Sequence, residues 1–412
     1  MADHENEIAG LPDDVLPSDF EAISLCSVCA KHPSLKQFVL EHGATGYECG
    51  ICHRRDQIAS LPAEHGPLSS LVRALVRYFF DEWSYNPHWG GEMEPASLLC
   101  KKNDIVEHVA AHGFPRSAET SEGFLIELFH PPYPDYDKGI AVYAGHDDNG
   151  RRPPLDALST SRSPWYEKIE RRLATENYFE VQKEFGKYLA KLGSDVEASL
   201  HAGTLLFRAR IGVAQRFMRG FGGWTADTVF QPFIGSAMGA PPPAKATPGR
   251  LNRDGVSFLY LATDEATAAA EIRPHPGHRL SIGAFRSVRE IRLADFGKID
   301  IAKFSSSDER LAIFHLGLTI SREISLPITP EHRHKYTVTQ LLADIIRRQG
   351  YDGIRFPSSV ATGSNLCIFR PGLFASEPNS GRVLYVKGLA YEMQRLAHLI
   401  EPTDDDAPLQ SL

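Results

Sequence analysis

The sequence predicts a multidomain protein: a small metal-binding module, then a mainly α-helical domain, then an α+β domain in the carboxy-terminal half. Two CxxC pairs near the start predict the metal module. Strong helix formers and Glu/Lys pairs follow. From residue 205, short apolar runs typical of strands are interleaved with helical patterns. Strands also follow strands, which favours α+β over a regularly alternating sheet.

Length and charge limit the classes of function. The chain has 412 residues, enough for two or three domains that each bury a core. Its formal net charge of −8 argues against a chain-wide nucleic-acid-binding surface; the metal module could bind nucleic acid, but we do not expect it to. No apolar run approaches the ~20 residues of a membrane span, and the acidic, polar start is unlike a secretory signal. We therefore expect a cytoplasmic protein without membrane contact.

Four cysteines predict a metal site within residues 21–58, after a flexible start over 1–20. They are Cys26, Cys29, Cys49 and Cys52. Two CxxC pairs at this spacing can converge on one tetrahedral ion, and four thiolates leave no position for water, so the prediction is a closed, structural Zn²⁺ site. The alternatives are a disulfide pair, a chance spacing, or a histidine in place of one cysteine. The candidate histidines are His32, His42 and His53.

Residues 59–198 are predicted to form the helical domain. Apolar residues at helical spacing over 71–79 predict an amphipathic helix. The Pro-, Ser- and Arg-rich stretch 151–164 predicts a loop. Pro164 then opens a long helical region that covers residues 165–195.

The carboxy-terminal domain is predicted over residues 199–400, before an acidic disordered tail at 401–412. Its predicted strands lie in the runs FRARIGV, SFLYLA, LSIGAF, EIRLADF and LCIFRP. Its predicted helices cover 264–272, 308–324 and 337–349, and the second follows the good N-cap residues Ser305–Ser307. No GxGxxG opens a helix after a strand and no Walker A loop is present, so a dinucleotide would not be held in the Rossmann manner.

Five polar residues of this domain form the candidate site. They are Arg208, Arg250, Tyr260, Glu271 and Ser358. Two cations, an aromatic ring, a carboxylate and a hydroxyl suit a large anionic substrate that carries a reactive sugar. Taken singly, each also has a plain structural interpretation: a solvated arginine, a packed tyrosine, a local Glu–Arg ion pair or a turn serine.

The same residues carry a resemblance to the RES domain, a toxin family named for its Arg, Glu and Ser. The matching segments are LLFRAR with Arg208, PGRLN with Arg250, FLYLA with Tyr260, TAAAEI with Glu271, GYDGIRFPSS with Ser358 and NLCIF with Asn365. PGRLN has Leu251 where the family usually has an aromatic residue. The resemblance implies a fold similar to that of ADP-ribosyltransferase toxins and NAD⁺ as the substrate. It also implies, as in many members, inhibition by a neighbouring antitoxin protein.

The resemblance implies cleavage of the nicotinamide–ribose bond of NAD⁺, and the chemistry of the residues agrees with it. Glu271 would stabilise the oxocarbenium-like sugar. Arg208 and Arg250 would fork onto the pyrophosphate, and Tyr260 would stack on, or hydrogen-bond across, the nicotinamide ribose. Ser358 would hold a phosphate from a turn. Further residues expected near NAD⁺ are Arg210, Tyr336, Gln340 and Asn365.

The helical domain resembles, in position and helicity, the HEPN-like domain that precedes this catalytic family in some multidomain members. HEPN ribonucleases carry an arginine shortly before a histidine on one helix, and no such pair occurs between 60 and 198. Arg310 and His315 have that spacing inside the later domain, where we predict a salt-bridged arginine and a packed histidine. The amino-terminal half is therefore expected to govern the reaction, and residues from about 200 onward to keep the NAD⁺ site.

The function implied by the resemblance is that of a toxin, a glycohydrolase or phosphorylase that depletes cellular NAD⁺ in a toxin–antitoxin or phage-defence setting. The acceptor is left open between water, inorganic phosphate and a macromolecule. An ADP-ribosyltransferase that modifies a macromolecular target is therefore one alternative, and a catalytically silent sensor or binding protein is another. The intact Arg–Arg–Tyr–Glu–Ser set favours the enzyme.

Overall fold

A computed structural model describes most of the chain. The described residues are 24–55, 58–63, 66–84, 95–107, 118–129, 140–141, 144–145, 155–220, 227–326, 336–390, 393 and 395. The predicted flexible start (1–20), the acidic tail (401–412) and residues 151–154 of the predicted loop lie outside them. Among the helices of this described part, none is both long enough and apolar enough to cross a membrane.

The amino-terminal module is a two-stranded sheet that carries one helix. β1 (Ser24–Cys26) pairs antiparallel with β2 (Ser60–Pro62), and α1 (Pro33–His42) lies between them in the sequence. α1 begins with a proline, which suits the first helical position, and the ring of His32 accepts a hydrogen bond from the backbone N–H of Ser34. Because β2 lies just beyond the predicted end of the module, the strand pairing extends it.

Helices dominate the segment that follows. Its elements are α2 (Gly66–Phe79), α3 (Ala118–Phe129), β3 (Ile140–Ala141), β4 (Ala144–Gly145), α4 (Pro164–Leu173) and α5 (Tyr178–Leu189), with 3₁₀ helices at Glu82–Ser84 and Pro95–Asn103. The amphipathic helix predicted over 71–79 is confirmed as part of α2. The long helical region predicted after Pro164 is divided in two. The division falls at Asn177, whose side chain caps α5 by accepting a hydrogen bond from the N–H of Phe179 at 2.9 Å.

The carboxy-terminal half is built on one nine-stranded sheet. The strands in this half are β5 (Glu197–Leu200), β6 (Leu205–Ile211), β7 (Gln215–Arg219), β8 (Asp227–Gln231), β9 (Leu259–Ala262), β10 (Arg279–Ser287), β11 (Ile291–Asp295), β12 (Gly353–Pro357), β13 (Ser364–Ile368), β14 (Phe374–Ser376) and β15 (Arg382–Tyr385). The helices are α6 (Glu265–Glu271), α7 (Asp308–Ser325) and α8 (Tyr336–Arg348), with 3₁₀ helices at Gly193–Val196, Gly235–Ala237, Pro243–Lys245, Ile301–Phe304 and Pro371–Leu373.

The sheet is mixed and mostly antiparallel. Its order is β14–β10–β6–β9–β13–β12–β11–β5, β15 also pairs with β10, and β11 and β12 are the parallel neighbours. β7 and β8 pair as a separate hairpin. The predicted strand runs and helices of this half are confirmed, and Ser307 caps α7 as predicted. The β7–β8 hairpin was not predicted, because its side chains are exposed or half-buried and give no apolar alternation.

The helical segment and the carboxy-terminal half share one hydrophobic core. Leu35 of α1 and Leu71 of α2 belong to the same buried cluster as Ile320 of α7 and Ile354 of β12. Each half therefore removes apolar surface of the other from water. The domain boundary predicted near residue 198 runs through this continuous core.

Arg310 and His315 of α7 have the structural roles predicted for them. The guanidinium of Arg310 forms a salt bridge to Asp195 at 2.7 Å. His315 is buried, and its Nε2 lies 3.2 Å from the Ser161 hydroxyl. Burial lowers the pKa of His315 to about 4. The pair therefore connects α7 to residues of the preceding segment, Asp195 and Ser161.

Candidate functional site

A small cavity lies where the central sheet opens between two strands. β6 and β9 pair at a single position, Phe207 with Ala262. Residues of both strands, of α6 and of β13 enclose a cavity of about 110 Å³ beside this pair. The lining residues are Phe207, Arg208, Ala209, Tyr260, Leu261, Ala262, Ala268, Glu271, Ile272 and Asn365. Four residues predicted for the NAD⁺ site, Arg208, Tyr260, Glu271 and Asn365, therefore meet here.

Glu271 is the last residue of α6, the helix that follows β9. The start of α6 is fixed by Asp264, whose carboxylate accepts a hydrogen bond from the N–H of Thr267 at 2.7 Å. That backbone hydrogen bond from Thr267 lowers the pKa of Asp264, so the carboxylate remains charged at the positive end of the helix. The cap holds α6 against the sheet and so places the Glu271 carboxylate at the cavity wall.

Two side chains from the β12–β13 hairpin hold one oxygen of Glu271. The Ser358 hydroxyl and the Asn365 amide each donate to Oε1 at 2.6 Å. The hairpin approaches α6 closely because Gly363 has no side chain: a Cβ there would lie 2.2 Å from Oδ2 of Asp264. Among the described residues, Oε2 of Glu271 has no hydrogen-bond partner, so this oxygen is available to a ligand.

Arg208 supplies a cation to the same cavity. Its side chain is half-buried on β6, and Nη1 donates to the backbone carbonyl of Tyr260 at 3.3 Å. Burial, together with the charge of Arg210, lowers the pKa of Arg208. Within the described part of the chain, no carboxylate forms a salt bridge with Arg208. A partly desolvated guanidinium without a counter-ion is a favourable place for an anion.

The Tyr260 hydroxyl is engaged in structure. It donates to Oδ1 of Asn252 at 2.9 Å and accepts from the N–H of Leu251 at 3.2 Å. Burial raises the pKa of Tyr260, so the phenol stays protonated. Tyr260 lines the cavity, while its hydroxyl fixes the turn of the PGRLN motif.

Arg250, Arg210, Gln340 and Tyr336, also predicted for the site, do not line the cavity. Arg250 donates to backbone carbonyls at the end of α7. Arg210 donates to the carbonyl of Ala237, and Gln340 to the carbonyls of the PGRLN turn. Tyr336 is the first residue of α8. Sequence reasoning gave no role to Asn252, a buried residue that links Tyr260 to the turn, although it stands in the PGRLN motif.

The four cysteines of the two CxxC pairs form a compact cluster. Their Sγ atoms all lie within 4.8 Å of one another and all four residues are buried. Sγ of Cys26 and Sγ of Cys52 are 3.7 Å apart. A tetrahedron with metal–sulfur bonds of ~2.3 Å has edges of ~3.8 Å, so the sulfurs fit a shared metal ion.

The backbone brings the two pairs together. The end of β1 carries the first pair, and the N–H of Ser24 donates to the carbonyl of Glu48 beside the second pair at 3.0 Å. Gly50 lies between the cysteines of the second pair, where a Cβ would come within 2.4 Å of the Phe124 ring of α3. The three histidines considered as substitute ligands lie outside the cluster. His32 caps α1, His42 bonds to the Phe38 carbonyl, and His53 faces Glu48.

Comparison with known proteins assigns a family to part of the chain. Residues 223–387 match the family model described as the RES domain. Among solved structures, the M. tuberculosis MbcT–MbcA toxin–antitoxin complex contains a similar chain. That chain and the present one are 10% identical in sequence, with a TM-score of 0.26. The match covers 48% of the present chain and 92% of the chain in the complex. A comparison with curated proteins gave no match.

The family match covers most of the candidate site. It includes Arg250, Tyr260, Glu271 and Ser358. It begins after Arg208, which the sheet nevertheless places in the cavity with Tyr260 and Glu271. The amino-terminal segments lie outside the match, so the HEPN-like resemblance and the predicted zinc module stay predictions. The chain contains a RES domain, carboxy-terminal to a buried cluster of four cysteines.

Proposed function

We propose that this protein is an enzyme that cleaves the nicotinamide–ribose bond of NAD⁺. The observation that carries the proposal is the Glu271 carboxylate, fixed at the wall of a RES-domain cavity that Arg208 also lines. NAD⁺ carries two phosphates and a cationic leaving group. Its cleavage therefore calls for a cation near the phosphates and an anion near the sugar, and the cavity offers both.

Glu271 acts on the sugar. When the bond between the ribose and nicotinamide breaks, its electron pair leaves with nicotinamide, which becomes neutral, and the ribose becomes an oxocarbenium-like cation. A fixed carboxylate beside the ribose stabilises this charge as it develops. Water or inorganic phosphate then adds to the anomeric carbon and loses a proton. The products are nicotinamide and either ADP-ribose or its 1-phosphate.

Ser358 and Asn365 orient this carboxylate. Both donate to Oε1 of Glu271, so they fix the side chain while Oε2 is turned to the substrate. This geometry supports a positioning role for Ser358 in place of the phosphate-binding role expected from the sequence.

Arg208 binds the pyrophosphate. Its guanidinium is half-buried and has no carboxylate partner among the described residues, so the negative pyrophosphate would neutralise its positive charge. The cavity of about 110 Å³ is well below the ~300–1,000 Å³ of ordinary small-molecule sites. It therefore holds the reacting end of the dinucleotide, and the adenosine end extends over the protein surface.

Zn²⁺ is the metal that we propose for the cysteine cluster. Four buried thiolates with tetrahedral separations suit this ion and leave no position for a substrate. The ion would brace the fold of the amino-terminal module and take no part in the reaction.

The proposed biological setting is a toxin. Loss of NAD⁺ stops growth, so a cell that makes such an enzyme must restrain it, and an antitoxin protein is the partner that we propose. The support for this setting is the RES match itself.

The test is incubation of the purified full-length protein with NAD⁺, with and without inorganic phosphate, followed by identification of the products by mass. We expect nicotinamide in both reactions, with ADP-ribose or its 1-phosphate as the second product. ADP-ribose attached to the protein itself, without free nucleotide product, would favour the transferase alternative. Unchanged NAD⁺ in both reactions would contradict the proposal.

A further inference from the structure

Arg250, the second arginine of the candidate site, faces the end of a helix. Its Nη1 donates to the backbone carbonyls of Ile324 at 2.7 Å and Ser325 at 3.1 Å. These are the last two residues of α7, whose carbonyls have no acceptor role inside the helix. The carboxyl end of a helix carries partial negative charge, so a guanidinium is stabilising there. The sequence interpretation, a ligand for pyrophosphate, does not account for these contacts.

The backbone around Arg250 is a turn fixed by α8. The Thr339 hydroxyl donates to the carbonyl of Arg250, and the Gln340 amide donates to the carbonyl of Gly249 at 2.8 Å. Gly249 is required here, since a Cβ would lie 2.6 Å from Oδ1 of Asn252. Arg250 on one side and α8 on the other thus hold residues 249–252, which we name the motif turn.

The motif turn reaches the cavity through Tyr260. The tyrosine hydroxyl bonds to Leu251 and Asn252 of the turn, and Tyr260 lines the cavity together with Glu271. A shift of the motif turn would therefore move a residue that forms part of the cavity wall.

Residues 158–163, just before α4, also hold α7. The guanidinium of Arg322 donates to the carbonyls of Leu158, Ser159 and Ser161, and the N–H of Ser163 donates to the Thr319 hydroxyl at 2.9 Å. A charged group that donates to three partly buried carbonyls is costly to displace. Arg250 therefore binds a helix end whose position is set by residues 158–163, which precede the sheet in the sequence.

We propose that Arg250 is a positioning residue: it clamps the motif turn to the end of α7 and acts on the substrate through Tyr260, not by binding phosphate. The helical segment thereby sets the geometry of the cavity wall through α7. This inference rests on the proposed NAD⁺ cleavage, but the clamp itself is a structural feature that can be tested without it.

The experiment compares full-length Arg250→Ala, Arg250→Lys and Arg208→Ala with the wild type. ADP is the probe for binding, because it carries the pyrophosphate without the nicotinamide ribose. For Arg250→Ala we expect kcat to fall by about 10- to 100-fold, the effect of a small misplacement, with the Kd of ADP unchanged. Arg250→Lys should recover much of kcat, since lysine also donates to helix-end carbonyls. Arg208→Ala should weaken ADP binding instead.

Amide hydrogen exchange supplies a readout that does not depend on activity. Loss of the clamp should speed exchange in residues 247–252 and at the end of α7 in Arg250→Ala, and not in Arg208→Ala. Weaker ADP binding by Arg250→Ala with unchanged exchange would overturn the inference and restore the phosphate role. If the wild type leaves NAD⁺ intact, the proposed function fails and the exchange comparison still decides the clamp. If Arg250→Ala does not fold, Arg250→Gln replaces it in the same comparison.

Discussion

The two oxygens of Glu271 lie in different surroundings, and this difference gives a graded prediction. Glu271→Gln keeps the shape and removes the charge that the oxocarbenium-like sugar requires, so kcat should fall by about 10²–10³-fold. Ser358→Ala and Asn365→Ala each remove one hydrogen bond to Oε1, and each should lower kcat by about tenfold. Steady-state NAD⁺ turnover measures these effects, and thermal unfolding checks that each variant is folded. Equal losses in all three variants would argue against separate roles.

The sequence could predict these residue types but not all of their partners. Arg208 and Glu271 were predicted for one site, and the structure brings them to one cavity. The bond from Ser358 to Glu271 joins residues 87 positions apart, and it depends on how closely the β12–β13 hairpin approaches α6. The contact of Arg250 likewise depends on where α7 ends in space. Neither the Ser358–Glu271 distance nor the distance from Arg250 to the end of α7 can be derived from a single sequence.

His315 gives a prediction about pH. Burial lowers its folded-state pKa from 6.5 to about 4, so protonation favours the unfolded chain. The stabilising effect of the neutral ring is complete above pH 6.5 and is lost as the pH falls towards 4, by about 1.4 kcal/mol per pH unit at most. Urea unfolding at pH 7 and pH 5 should show this loss in the wild type. His315→Asn, which does not titrate there, should show less; an equal loss in both would rule out this origin.

At the scale of elements, α7 links the two halves of the chain. One of its faces packs in the core shared with α1 and α2, and its polar residues bind the turn before α4. The periodicity of the sequence predicted the helix and its Ser307 cap, because both are local signals. The periodicity did not predict the shared core, because a helix shows the same apolar stripe whether it packs against the sheet or against another segment.

The shared core alters the expectation for a shortened chain. Residues from about 200 onward are expected from the sequence to keep the NAD⁺ site. Without α2, α4 and α5, however, the buried residues Phe314 and Ile320 of α7 would become exposed to solvent. We now predict that this fragment aggregates or unfolds at a temperature well below that of the full chain. Circular dichroism and size-exclusion chromatography test this. A monomeric fragment with the stability of the full chain would show that the core is divisible.

At the scale of the whole molecule, the cysteine cluster belongs to the same continuous core as α7 and α8. The doubled CxxC predicted the cluster, because four cysteines at that spacing leave few other arrangements.

Fresh full-length protein should contain about one Zn²⁺ per chain. Removal of the metal by a chelator, or Cys26→Ser, should lower the thermal stability. The matched control Cys100→Ser, at a half-buried cysteine outside the cluster, should keep the metal. Far less than one metal ion per chain would contradict this.

The central claim is that NAD⁺ is consumed at Glu271, and cellular NAD⁺ during induced expression tests it most directly. Wild-type protein and Glu271→Gln should be produced at equal, verified levels in bacteria, with NAD⁺ and growth followed together. We predict that NAD⁺ falls before growth stops with the wild type, and that both are preserved with Glu271→Gln. Growth arrest with unchanged NAD⁺, or equal loss of NAD⁺ with both proteins, would contradict the proposed mechanism.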